Sequence, residues 1–194
     1  MTDRRRLVLA SASPRRRLLL AAAGFTFDIV APDVDESPLG AESPADMVLR
    51  LASDKARTVS GDDSTVIAAD TTVVLDGVSL GKPTDRTEAI GMLQALTGRS
   101  HSVLTGWMVA RRDDERFGIE ESIVEFNHRS TVDLTDYVDR TEPYDKAGAY
   151  AIQGDDGLLI RGVRGSRSNV MGLPIAEVTS ALESMGIARS ASHR

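Results

Sequence analysis

Thr65-Val-Ile-Ala-Ala-Asp70-Thr-Thr-Val-Val-Leu75 is the clearest strand in the chain. It is β-branched and apolar almost throughout, and the hairpin-turn pair Asp76-Gly77 closes it. A near-continuous run such as Val66–Val74 belongs to a strand covered on both faces. On the N-terminal side, Leu7–Ala10 reads as a second buried strand. Ser13-Pro14 then starts a helix to about Ala23, with Gly24 placed to stop it. Phe25–Val30 reads as a strand, and 31–42 as a polar loop. Ser43-Pro44-Ala45-Asp46 opens a helix to about Thr58. On the C-terminal side, a helix runs from Thr84/Asp85 to Leu96. Strands follow at Ser102–Ala110 and Phe117–Asn127, with a polar turn between them. A short helix is predicted at 135–140 and a last one from Pro174 to Met185. Helices and strands alternate early and a hairpin sits mid-chain, so the fold class is α/β with a mixed sheet.

Composition bounds what such a fold does. The 194 residues carry 23 Lys+Arg against 29 Asp+Glu, a formal charge of −6, and only 4% aromatics. That balance disfavours nucleic-acid binding and an anionic membrane surface, while leaving room for a local basic pocket. With no cysteine, disulfides, thiolate metal sites and a cysteine nucleophile are excluded. His101, His128 and His193 lack metal-ligand spacing. Arg4-Arg5-Arg6 followed by Leu7–Ala10 has the basic-then-apolar order of an export signal. The apolar run is far shorter than the ~7–15 residues such a signal uses, so a cytoplasmic location is expected. Residues 1–188 are expected to form one domain, and 189–194 a disordered tail.

Three places carry chemistry. Ser11-Ala-Ser13-Pro14-Arg15-Arg16 leads a strand into a helix N-terminus, where free N–H groups and the dipole attract anions. The dipole disfavours cations there, so position alone does not explain two arginines, whose forked donors suit phosphate. Asp70 lies inside the apolar strand. A carboxylate there is costly unless paired or ligating, which makes it a structural acid at a bulge, a metal ligand or a general base. Lys55 continues the apolar stripe of Val48 and Leu51, and so either snorkels from the core edge or points into a cleft.

Weaker signals accompany these. Gly81-Lys82-Pro83-Thr84 fails the P-loop spacing, yet Lys82 precedes a helix start. Asp33, Asp35 and Glu36 form a solvated acidic loop, or supply a carboxylate for hard Mg²⁺ or Mn²⁺. Gln153 offers the donor and acceptor that pair with N3–H and O4 of a uracil or thymine. The set suits metal-assisted polyphosphate chemistry.

The ordered stretches Leu7–Arg16, Val34–Glu36, Arg50–Ala56, Ala69–Thr71, Leu80–Pro83, Lys146–Gly154 and Ser168–Pro174 resemble the Maf family of nucleoside triphosphate pyrophosphatases. The likeness spans about residues 7–185. It implies an ITPase-like α/β fold, a mixed twisted sheet flanked by helices in two lobes around a cleft. It also implies metal-dependent hydrolysis of nucleoside triphosphates to monophosphate and pyrophosphate, clearing non-canonical nucleotides. Asp70 matches the family's proton acceptor. Arg15, Thr71 and Gln153 match positions setting preference in the dTTP/UTP branch. Ser11, Arg15, Arg16, Lys55 and Lys82 are expected on phosphate, and Glu36 with Asp70 on Mg²⁺ or Mn²⁺. Arg167 stands where the resemblance leads one to expect an aromatic. A homodimer is a family-level expectation. A second reading is a nucleotide-binding regulator of cell division, a septum-formation inhibitor without essential turnover.

Overall fold

The alternation of apolar residues in the central strands explains the first compact unit. In the computed structural model, which describes residues 6–61, 64–155 and 157–189, β1 (Arg6–Ala10) lies parallel to both β2 (Asp28–Val30) and β3 (Ser64–Leu75). Leu7, Leu9, Ile67 and Ala69 face one side, packed with Leu20 of α1 (Pro14–Ala22) and Val178 and Leu182 of α6 (Ile175–Ser184). Val8, Ala10, Val66 and Ala68 face the other, with Ala56 of α2 (Pro44–Val59). Period-2 side chains buried on both faces are what the Val66–Val74 run requires.

β4 (Val78–Leu80) folds back on β3, with Leu75 opposite Val78. Asp76 (φ 52°) and Gly77 (φ 82°) both take the left-handed region, as the favoured two-residue hairpin turn demands. α3 (Arg86–Leu96) precedes β5 (Ser100–Arg111) and β6 (Asp114–Phe126), and α4 (Thr131–Thr141) follows. A single 3₁₀ turn at Ala147–Ala149 leads toward β7 (Ile160–Arg164), and the short α5 (Arg167–Val170) comes before α6. The strand order is β2-β1-β3-β5-β6-β7 with β4 beside β3, a mixed seven-stranded sheet flanked by helices.

The chain divides into two compact units. One comprises residues 1–70, 105–120 and 172–194; the other comprises 71–104 and 121–171. The core of the second is formed by Val73, Leu93, Val103, Val124, Leu134, Val138 and Leu159, drawn from β3, α3, β5, β6, α4 and the segment before β7. Among the described residues no helix is long and apolar enough to cross a membrane.

Several boundaries differ from the sequence reading. β2 begins at Asp28 rather than Phe25, because Phe25 is drawn into the core under α1. α4 begins four residues early, at a capping box in which Ser130 Oγ accepts the Asp133 N–H and the Asp133 carboxylate accepts the Ser130 N–H. β7 and α5 are not among the predicted elements. Both lie in Gly- and Arg-rich stretches without a clear hydrophobic period. Residues 4–5 of the basic triplet and 190–194 of the tail lie outside the described residues.

Candidate active site

The end of β1 and the start of α1 build the basic side of the site. Ser13 is the N-cap residue of α1 by backbone conformation, but its side chain makes no capping bond. Ser11 does local work instead, its buried Oγ accepting the Ser13 N–H at 3.2 Å. Arg16 donates from Nη1 to that same Oγ (3.3 Å) and from Nε to the Gly172 carbonyl (2.7 Å). The guanidinium is thus fixed at two points. Burial pulls its pKa down, and the nearby negative charges of Asp70 and then Glu36 oppose that shift while Arg15 adds to it. Arg16, Arg15, Asp70 and Glu36 therefore share one local field.

α2 delivers the acidic side's partner. Gly106 of β5 lies directly under the helix backbone, where a Cβ would fall 2.3 Å from the Val48 carbonyl oxygen. That close seating sets the depth of α2. Two turns on, Lys55 is only 6% exposed. Its Nζ donates to Asp70 Oδ1 at 2.6 Å and lies 2.5 Å from Glu36 Oε1. The lysine on the apolar stripe thus points inward, and the charge inside β3 is paired.

Glu36 reaches Lys55 from a loop that Arg50 ties down. Arg50 donates to both carboxylate oxygens of Glu42 (2.6 and 2.8 Å) and from Nη2 to the Ser37 carbonyl (3.2 Å), the residue after Glu36. Asp35 caps the same turn by accepting the Ser37 N–H, and hydrogen bonding from the Ser37 hydroxyl and then from that N–H holds its carboxyl below the usual range. Asp33 is exposed. A cavity of about 430 Å³ lies beside this loop, lined by Val34, Asp35, Ser37, Arg50, Asp54 and Arg57 among others. It takes in none of Ser11, Arg16, Glu36, Lys55 or Asp70.

The structure thus gathers Ser11, Arg15, Arg16, Glu36, Lys55 and Asp70 in the first unit. The second unit holds the remaining predicted residues. Thr71 is half-buried in β3, Lys82 is exposed before α3, and Gln153 is exposed on a turn. Arg167 is exposed at the first position of α5, whose N-cap Ser166 accepts the Asn169 N–H. The Gly172 carbonyl has a role that sequence reasoning missed. A backbone acceptor has no side-chain signature, although the Ser168–Pro174 stretch that contains it stood out as a motif.

A model of Maf-like proteins matches residues 6–185. The chain belongs to the Maf family. Three relatives carry the same name. A dTTP/UTP pyrophosphatase of Symbiobacterium thermophilum is 48% identical over 182 residues, 93% of this chain and 94% of that protein. One of Anaeromyxobacter dehalogenans is 50% identical over 186 residues, 93% and 94% of the two chains. One of Myxococcus xanthus is 47% identical over 187 residues, 95% of each. The similarity to these Maf proteins covers β1 through α6, and with them every site residue described above.

Proposed function

We propose that this Maf protein is a nucleoside triphosphate pyrophosphatase that hydrolyses dTTP and UTP to the monophosphate and pyrophosphate. The observation that carries the reading is the Lys55–Asp70 pair beside the Arg15/Arg16 helix start. The relatives' shared name supports the substrate class.

In the reaction, a water oxygen forms the new bond to the α-phosphorus. The bond from that phosphorus to the α–β bridging oxygen breaks, and pyrophosphate leaves with the bridging oxygen. Asp70 accepts the water's proton. Lys55 engages Oδ1, and a carboxylate has about four lone-pair sites, so capacity remains for a water. Arg15, Arg16, Lys55 and Lys82 offset the charge of the triphosphate, and Ser11 orients Arg16. Positioning and electrostatic stabilisation dominate chemistry of this kind. Arg15, Thr71 and Gln153 set the nucleotide preference.

A divalent cation suits the donor set. Among the described residues no group of three or more His, Asp or Glu is arranged to hold a metal by itself. Glu36 and Asp70 do converge on one positive charge, that of Lys55. Mg²⁺ is commonly held by one or two carboxylates together with substrate phosphates, and these two residues would hold it here. It would supply charge neutralisation on the phosphate oxygens. The enzyme acts in the cytoplasm, without nucleic acid or membrane, and dimerises with its own kind.

The test is pyrophosphate release from a panel of canonical and modified nucleoside triphosphates, with Mg²⁺, with Mn²⁺ and with chelator. Metal-dependent turnover highest on dTTP and UTP is expected. Tight nucleotide binding without turnover in the presence of metal would overturn the reading in favour of a regulator.

A further inference from the structure

We propose that Tyr150, its partner His101, and Tyr137 are positioning residues that hold the Gln153 turn and so set the discrimination between pyrimidine bases. The inference rests on the reading of Gln153 as the residue that contacts the base.

Gln153 lies on an exposed turn ending at Gly154, which has φ +75°. An amide distinguishes donor from acceptor patterns only if its position is held. The residues on either side hold it. Tyr150 is 6% exposed, and its hydroxyl is hydrogen-bonded to His101 Nε2 at 2.7 Å. The His101, Phe126 and Tyr150 rings meet edge-on in all three pairs, with centroids 4.8–5.4 Å apart. The next residue, Ala151, donates its N–H to the Tyr137 hydroxyl at 3.2 Å. Upstream, Gly148 (φ +68°) is pressed against β3, where a Cβ would lie 3.0 Å from Val73 Cγ2. Downstream, buried Asp155 accepts the N–H groups of Leu159 and Ile160, both at 2.9 Å. Only Ile152, Gln153 and Gly154 separate the two anchored ends.

The arrangement is costly for packing alone. His101 is 3% exposed, and its Nδ1 has no hydrogen-bond partner. An apolar pair of the same shape would fill the space without that penalty. What the polar pair adds is direction. It fixes the Tyr150 ring, and with it the backbone that leads into Gln153.

The experiment measures kcat and KM for UTP and CTP, which differ at the base edge an amide reads. The variants are Tyr150→Phe, Tyr137→Phe, Gln153→Ala and the double Tyr150→Phe/Gln153→Ala. Each phenylalanine variant removes one hydroxyl and keeps the ring, and thermal unfolding verifies the fold. The UTP-to-CTP ratio of kcat/KM is expected to fall about tenfold in Gln153→Ala, the effect of one hydrogen bond. It should fall by a comparable factor in each Tyr→Phe variant, through KM with kcat nearly unchanged. The double variant should be no less selective than Gln153→Ala alone. An unchanged ratio in both Tyr→Phe variants, or additive losses in the double, would overturn the positioning role. An unchanged ratio in Gln153→Ala would remove the reading of Gln153, and the proposal with it.

Discussion

Lys55 Nζ lies 2.6 Å from Asp70 Oδ1, with the two side chains only 8% and 14% exposed. The ammonium comes from the apolar stripe of a helix and the carboxylate from the middle of an apolar strand. Each makes the other's burial tolerable. Glu36 meets the same ammonium from a side chain that is 45% exposed. The two carboxylates therefore differ in what they contribute, and mutation can separate them.

Lys55→Met removes the hydrogen-bonded cation from a buried pair and leaves the Asp70 carboxylate without that partner. A loss of about 3 kcal/mol in unfolding free energy is expected. Glu36→Gln should cost under about 1 kcal/mol, because the exposed partner is already well solvated. Urea denaturation midpoints, compared at equal slope, check both values. Equal losses would contradict the burial argument.

Asp70→Asn keeps the shape of the side chain and removes its capacity to take a proton. Turnover on UTP should fall by about 10²–10⁴-fold, the usual share of a general base. The circular dichroism spectrum should remain that of the parent protein. Near-normal turnover would reassign the proton acceptor.

Gly106→Ala places a methyl group 2.3 Å from the Val48 carbonyl oxygen and 2.4 Å from its carbon. Both are backbone atoms of α2, so no side chain can swing away. The helix must lift, carrying Lys55 from Asp70. We expect destabilisation of about 3 kcal/mol or more, together with loss of turnover. Gly91→Ala, on the open face of α3 with nothing within 4 Å, is the control. It should be neutral or slightly stabilising.

His101 adds an acid-sensitive contribution to stability. Burial lowers its pKa from 6.5 to about 4. Below pH 6.5 the unfolded chain binds this proton and the folded chain does not, so stability falls with pH through that window. The loss levels off only below about pH 4, where the folded imidazole also protonates. Its full extent is on the order of 3 kcal/mol. The difference in unfolding free energy between the wild type and His101→Phe, followed from pH 7.5 to 4, isolates this contribution from the carboxylates. A pH-independent difference would contradict it.

Much of the charged cluster around Asp70 was legible in the sequence because it violates local rules. Asp70 interrupts an apolar strand, Lys55 an apolar helical stripe, and Arg15 and Arg16 sit where the helix dipole disfavours cations. Each violation needs compensation: Asp70 and Lys55 pair with each other, and Arg16 donates to Ser11 and to the Gly172 carbonyl. The residues that position these groups broke no rule. Gly106 looks like any glycine in a strand, and Gly172 acts through its carbonyl. His101 stood out only as a histidine without metal spacing. Its pairing with Tyr150 joins residues 49 positions apart. Elements were legible where caps and periodicity agreed, as at Ser43–Asp46 and Asp76–Gly77. They were missed at β7 and α5, where pairing with β6 and the Ser166 cap act without an apolar repeat.

The most direct test of the account is hydrolysis of UTP in ¹⁸O-labelled water, with the position of the label read by mass spectrometry. Attack by an Asp70-activated water on the α-phosphorus predicts one ¹⁸O in UMP and none in pyrophosphate, with both products lost together in Asp70→Asn. Label in pyrophosphate or inorganic phosphate would contradict it, because the water would then have attacked another phosphorus.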